Sequence, residues 1–255
     1  MSKHLLTGNL LTLDRGNSAL KADVWKDDTI VETVVMPPAC IRRQLKALTN
    51  RHELVGAMYC SVTDNGDYVR EILDEADVPL HILTHETPVP LEIEYGSKGT
   101  LGVDRIAGCL GAISLFPNRE LLVVDLGTAI TYDRVTASGR FLGGNIAPGV
   151  SLRLKALNAF TARLPKVELD GDVPEWGYDT PTALRAGAIK GIVGEVSYYR
   201  SLLPRGAKVV LTGGSAPRIA PHLKFSYVME PHLVTIGLKT CLDSIVENLT
   251  TVIVQ

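Results

Sequence analysis

The chain has 255 residues, enough for one large domain or two moderate ones with a substantial core. Its 45% hydrophobic and 21% charged residues are ordinary for a soluble globular protein, and a formal net charge of -2 gives no electrostatic footprint for nucleic acid. No apolar run approaches the roughly 20 residues that span a bilayer, and Met1 to Thr7 reads as too short and polar for a secretory signal. Cys40, Cys60, Cys109 and Cys241 are scattered without a Cys-x-x-Cys pair. That pattern predicts buried thiols in a reducing cytoplasm, with neither a zinc site nor a disulfide framework. His81 and His85 have helical metal-ligand spacing, but Pro79, Pro88 and the β-like surroundings argue against a helix, and no third ligand is in view.

In chain order, Asn9–Asp14, Leu20–Lys26 and Thr29–Val35 read as three strands separated by turn residues. Ala39–Arg51 reads as a helix with Ile41, Leu45 and Leu48 on one face. Leu54–Val62 is a buried strand, Asn65–Ala76 a second helix with Val69, Ile72 and Leu73 inward, and Leu80–Thr84 a strand. Val103–Ser114 is helical. Glu120–Asp125, Ile130–Thr136 and Arg140–Ala147 are three more strands, with Ser138-Gly139 as a hairpin turn. Helices follow over 149–160 and 180–203, then a strand Lys208–Thr212, a short helix Ala216–Leu223, a strand Tyr227–Met229 and a last helix Leu233–Asn248. The order is βββαβαβ, stated twice, and differs from the simple alternation of a doubly wound sheet. It predicts two domains, 1–118 and 119–255.

Two related phrases carry the chemistry. Asp14-Arg15-Gly16-Asn17-Ser18 closes the first apolar run, and Asp125-Leu126-Gly127-Thr128-Ala129 closes another. In each, an aspartate ends a strand, a glycine follows two residues later for a tight turn, and a hydroxyl or amide side chain comes next. Such a turn gathers backbone N–H groups and a carboxylate, which suits a phosphate and its metal ion. One copy is weak, because an Asp-x-Gly turn is common between strands; two imply a duplicated nucleotide-binding domain. The plain alternative for Asp14 is a carboxylate capping its own turn.

With the segments between them, these phrases resemble the type III pantothenate kinases over nearly the whole chain. The resemblance rests on 14–21 (Asp14-Arg15-Gly16-Asn17-Ser18-Ala19-Leu20-Lys21), on Gly102-Val103-Asp104-Arg105 preceded by Tyr95, and on 125–133. Phe141 to Gly149, Thr180 seven residues before Gly187, and Thr212-Gly213-Gly214 complete it. It implies an α/β, actin-like (ribonuclease H-like) duplicated fold with a nucleotide cleft between two domains. The activity implied is ATP-dependent phosphorylation of pantothenate to 4'-phosphopantothenate, the first step of coenzyme A synthesis, in the cytoplasm. ATP would come with Mg2+, and a monovalent cation (K+ or NH4+) would sit at Asp125. Residues 14–21 and Thr128 would hold ATP, and Lys21 would supply positive charge. Tyr95, Gly102, Val103, Asp104, Arg105 and Thr180 would contact pantothenate, with Asp104 as the base. A homodimer is implied, with no nucleic acid or membrane partner.

Simpler readings stand beside these. Asp104 in a first helical turn also stabilises a helix terminus, Tyr95 also suits a strand-end aromatic, and Thr180 also suits an N-cap. Asp133 reads as structural, and Gly143-Gly144 as either phosphate-binding or a β-to-α connection. Arg15 departs from the small apolar residue usual in the family's loop. The rivals are a kinase of this fold with another acceptor and a nucleotide-binding regulator without turnover.

Overall fold

The computed structural model describes residues 8–253, and the backbone alone over 246–253. The segment Met1–Thr7, read above as no secretory signal, lies outside the described residues. In chain order the elements are β1 (Asn9–Arg15), β2 (Leu20–Lys26), β3 (Thr29–Met36), α1 (Ile41–Arg51), β4 (Leu54–Ser61), α2 (Asp67–Glu75), β5 (Leu80–Ile82), β6 (Glu92–Ile93) and α3 (Val103–Leu115). Then come β7 (Leu121–Leu126), β8 (Ala129–Val135), β9 (Arg140–Pro148), α4 (Val150–Phe160), α5 (Thr180–Ser201), β10 (Lys208–Thr212), α6 (Ala216–Ile219), β11 (Val228–Met229) and α7 (Leu233–Ile253). The predicted order is present, with the two-residue β6 unforeseen.

The chain forms two compact units, Met1–Leu115 with His232–Gln255, and Phe116–Pro231. This differs from the predicted division at 118/119, which gave the last helix to the second half. α7 packs on α3 and belongs to the first unit.

In the first unit the sheet order is β3-β2-β1-β4-β5, with β1 antiparallel to β2 and parallel to β4. Strand alternation sends neighbouring β4 residues to opposite faces. Ala57 and Tyr59 join Leu45, Leu48, Ile72 and Leu73 of α1 and α2 in one core. Met58 and Cys60 join Val103, Ala107, Val234 and Leu238 of α3 and α7 in another. Burial on both faces explains why β4 reads as an unbroken apolar run. The α3–α7 contact is made by glycines. A Cβ on Gly111 would lie 2.1 Å from Leu233 O, and one on Gly237 would lie 1.8 Å from Ala107 O.

In the second unit the strands run β11-β10-β7-β8-β9; β7, β8 and β9 are antiparallel neighbours, while β10 and β11 run parallel to β7. Leu122, Val124 and Leu211 of this sheet pack with Val150 and Leu154 of α4 and Ile189, Ile192 and Val196 of α5.

Candidate active site

The first unit builds its site at the end of β1. The sheet register sets Asp14 opposite Lys21 on β2 and opposite Cys60 on β4. Cys60 Sγ lies 3.6 Å from Asp14 Oδ1, a weak S–H donor against a carboxylate. Enclosure pushes the Asp14 carboxyl up to about 6, and the nearby negative charge of Asp104 adds to the rise; Cys60 and Lys21 oppose it. Burial beside the Asp14 and Asp104 carboxylates drives the Cys60 thiol well above its ordinary range. No motif pointed to Cys60; only the register of β1 on β4 brings it here.

Gly16, Asn17, Ser18 and Ala19 form the β1–β2 loop, with Asn17 and Ser18 exposed. Leu20 is fully buried in the core, so its side chain faces away from any ligand at the loop. Neither Gly16 nor Gly127 has a left-handed backbone. The turn at Gly127 is tight without it: a Cβ there would lie 3.2 Å from Ala129 O and from Asp125 Oδ1. At Gly16 a Cβ would meet nothing nearer than Ala19 O at 3.9 Å, so glycine keeps the loop's backbone open to approach.

Asp104 stands in the first turn of α3, half-buried, and its Oδ1 accepts the Arg105 N–H at 2.8 Å. Burial raises its carboxyl, while the Arg105 N–H and guanidinium pull it down. Gly102 has a definite job here: a Cβ would sit 2.4 Å from Asp104 Oδ1, so glycine lets the carboxylate fold back over the helix start. Arg105 is buried, and its guanidinium carbon lies 5.8 Å from the centre of the Tyr95 ring, a cation–π distance. His85 Nε2 sits 2.6 Å from Leu101 O, against the segment that leads into α3. Asp14, Lys21, Tyr95, Gly102, Val103, Asp104 and Arg105 thus all lie in one unit.

The second unit carries the other Asp-x-Gly turn. Asp125, near the end of β7, is the register partner of Thr212 on β10. Gly213 has φ 89, and a Cβ there would lie 2.3 Å from Asp125 Oδ1 and 2.6 Å from the Leu126 backbone. Conformation and space both demand glycine here. Gly149 N donates to Thr128 O at 2.9 Å, and a Gly149 Cβ would collide with Gly127 O at 2.2 Å. The start of α4 is thus seated on the 127–128 turn, leaving Thr128 exposed. Asp133 is buried on β8.

Thr180 is the first residue of α5 and not its cap. Asp179 is the cap: its carboxylate accepts the Thr182 N–H at 2.9 Å, and the Thr182 hydroxyl completes a capping box. Asp-x-x-Thr was a readable signal for this. Thr180 lines a cavity of about 490 Å3 in the second unit, with Leu157, Leu164, Tyr178 and Leu184.

Residues 10–201 match the type III pantothenate kinase family. A type III pantothenate kinase of Porphyromonas gingivalis (strain ATCC BAA-308 / W83) is 40% identical over 239 residues, spanning 91% of this chain and 97% of that one. The chain belongs to the type III pantothenate kinase family. A second member, from Phocaeicola vulgatus, is 38% identical over 236 residues, covering 91% of this chain and 97% of its own. Among solved structures, a Baf family transcriptional activator of Campylobacter jejuni superposes with a TM-score of 0.62 at 23% identity, covering 92% of this chain and 98% of that one. The activator of a 2-hydroxyisocaproyl-CoA dehydratase from Clostridium difficile, solved with bound ADPNP, gives 0.53 at 12% identity, over 94% and 97%. These likenesses carry the fold, which is the actin-like α/β architecture. As a member of this kinase family the protein is an enzyme.

Proposed function

We propose that this pantothenate kinase family member transfers the γ-phosphoryl group of ATP to the primary hydroxyl of pantothenate, giving 4'-phosphopantothenate for coenzyme A synthesis. The observation that carries the mechanism is the placement of Asp104: a half-buried carboxylate, raised by burial, folded over Gly102 beside a buried arginine. A raised pKa makes the Asp104 carboxylate a stronger proton acceptor, which suits a base acting late in phosphoryl transfer. Arg105, backed by Tyr95, offers a planar donor set to the acid substrate. Thr180 and Val103 complete the acceptor contacts in this reading. Loop 16–19 turns its backbone to the phosphates, and Lys21 adds charge.

The donor set fits a magnesium ion that arrives with the nucleotide. The Asp14 carboxyl lies close enough to the charge of Asp104 to be raised by it, so a cation there removes an unfavourable charge pair. No cluster of three or more His, Cys, Asp or Glu residues fit to hold a metal alone occurs among the described residues. Bound magnesium would neutralise charge on the transferring phosphate. Asp125, held against the Gly213 and Gly127 backbone, is the candidate ligand for K+ or NH4+, and Thr128 beside it for ATP. The working form in this reading is a cytoplasmic homodimer. Phe160 (88% exposed), Trp176 (87%) and Tyr178 (69%) around the α4–α5 surface support a covered face there.

The test is ADP release from the purified protein with ATP and magnesium, with and without pantothenate, and with K+ exchanged for Na+. Pantothenate-dependent turnover that falls in Na+ supports both assignments. Asp104→Asn should lower kcat by roughly 100-fold or more while ATP still binds; near-normal turnover removes Asp104 as the base.

A further inference from the structure

Arg15, the residue that departs from the family loop, has a defined position. Its side chain is only 11% exposed. Nη1 donates to the carbonyl oxygen of Gly16 and to that of Ala19, the latter at 3.3 Å. Nε lies 3.8 Å from Asp64 Oδ2, an ion pair without a hydrogen bond. The guanidinium therefore runs beneath the loop and grips both ends of it by their carbonyls.

Asp64 is itself held firmly. Its Oδ1 accepts the buried Tyr59 hydroxyl at 2.5 Å and the Gly66 N–H at 3.0 Å. Its Oδ2 accepts the Thr63 hydroxyl at 3.1 Å. Gly66 has φ 78, and a Cβ there would press on the Tyr59 ring at 2.6 Å, so the turn carrying Asp64 is set by core packing. A chain of contacts runs from Tyr59 through Asp64 and Arg15 to the peptide units of the β1–β2 loop.

In a trans peptide the C=O and N–H point in opposite directions, and no cis bond occurs among the described residues. A guanidinium gripping Gly16 O therefore turns the Asn17 N–H to the other side of the loop. It also polarises that peptide, which strengthens its N–H as a donor. An uncompensated arginine would compete with the loop for an anion; the Asp64 carboxylate balances it in place.

We propose that Arg15, held by Asp64, is a positioning residue that sets the β1–β2 loop with its N–H groups presented to the phosphates of ATP. The proposal rests on the reading that residues 16–21 bind ATP. It predicts that Arg15 acts on nucleotide affinity, not on the acceptor or the chemical step. Both carbonyl bonds come from the single nitrogen Nη1, which a lysine ammonium can imitate, but Lys lacks the Nε that faces Asp64, so it should restore only part of the function.

The test is steady-state kinetics of Arg15→Met, Arg15→Lys, Asp64→Asn and Arg15→Met/Asp64→Asn, with Lys21→Ala as the loop control. Arg15→Met keeps the alkyl packing, and a thermal melt confirms folding. Expected is a KM for ATP raised at least fivefold in Arg15→Met, with kcat within about twofold and an unchanged KM for pantothenate. Arg15→Lys should fall between, and the double variant should be no worse than Arg15→Met alone. Amide hydrogen exchange without nucleotide should quicken at Asn17 to Ala19 in Arg15→Met. A normal KM for ATP in Arg15→Met with a raised one in Lys21→Ala overturns the positioning role. So do effects of Arg15→Met and Asp64→Asn that multiply in the double variant. A normal KM for ATP in both Arg15→Met and Lys21→Ala instead removes the phosphate-loop reading, and the proposal with it.

Discussion

Replacing Asp14 with asparagine should make the ligand-free protein more stable while impairing its use of ATP. The Asp14 carboxyl is raised from its ordinary 3.8 to about 6, first by enclosure and then by Asp104. The sign follows from proton linkage. Between about pH 4 and 6 the folded form holds a proton on Asp14 that the unfolded chain has released, so this group's contribution to stability falls as pH rises. At about 1.36 kcal/mol per pKa unit, the ionised carboxylate costs about 3 kcal/mol at pH 7.5. Asparagine has nearly the same shape, keeps an acceptor for the Cys60 thiol and never ionises. The full gain would raise Tm by about 6–12 °C, at the 2–4 °C per kcal/mol usual for this size. The assay is a pair of thermal melts without magnesium or nucleotide, at pH 4.5 and 7.5. At pH 4.5 the folded wild type still holds the proton while the unfolded chain has largely released it, so about 1 kcal/mol of the variant's advantage is already present; at pH 7.5 the advantage should be about three times larger. Comparing the difference at the two pH values cancels the titrating groups that do not sense the charge of Asp14. With magnesium and ATP the wild type should gain more stability than the variant. A variant equal to or below wild type at both pH values refutes the reasoning.

Gly102→Ala should lower kcat roughly tenfold or more with little change in Tm, because its Cβ would lie 2.4 Å from Asp104 Oδ1 and displace the carboxylate; steady-state kinetics beside a melt separates the two effects. Asp23 is fully buried, and its carboxylate accepts the Thr33 hydroxyl at 2.6 Å, His232 Nδ1 at 2.8 Å and the Thr235 hydroxyl. Asp23→Ala strands those donors and should cost about 3–5 kcal/mol in urea unfolding, with Asp23→Asn costing less.

Local periodicity made most elements legible. Ile41, Leu45 and Leu48 face one core as their spacing requires, and β2 and β10 run over the residues expected. Partnership was harder. The pattern of α7 says that it buries a face but not which face receives it. That depends on Gly111 and Gly237 letting two helix backbones approach, and an isolated glycine in a helix reads first as a weakness. The site shows the same division. The Asp-x-Gly phrases and Gly102 to Arg105 are contiguous, so sequence exposes them. Cys60 and Asp64 reach Asp14 and Arg15 through strand register and a turn, and neither leaves a local signature. Arg15 was visible as an oddity, but its direction depends on carbonyls that only the folded loop presents.

The return of α7 to the first unit has a consequence for synthesis. The second unit, Phe116–Pro231, is one unbroken stretch of chain and can begin to fold as it leaves the ribosome. The first unit cannot close until His232 and the residues after it emerge. At about 5–20 residues per second, the face of α3 that α7 will cover waits on the order of 6–23 s for its helix. During that interval the backbone at Ala107 and Gly111, which α7 later covers, stays uncovered. Slowing translation through the second unit would lengthen the exposure without changing a single contact of the finished protein.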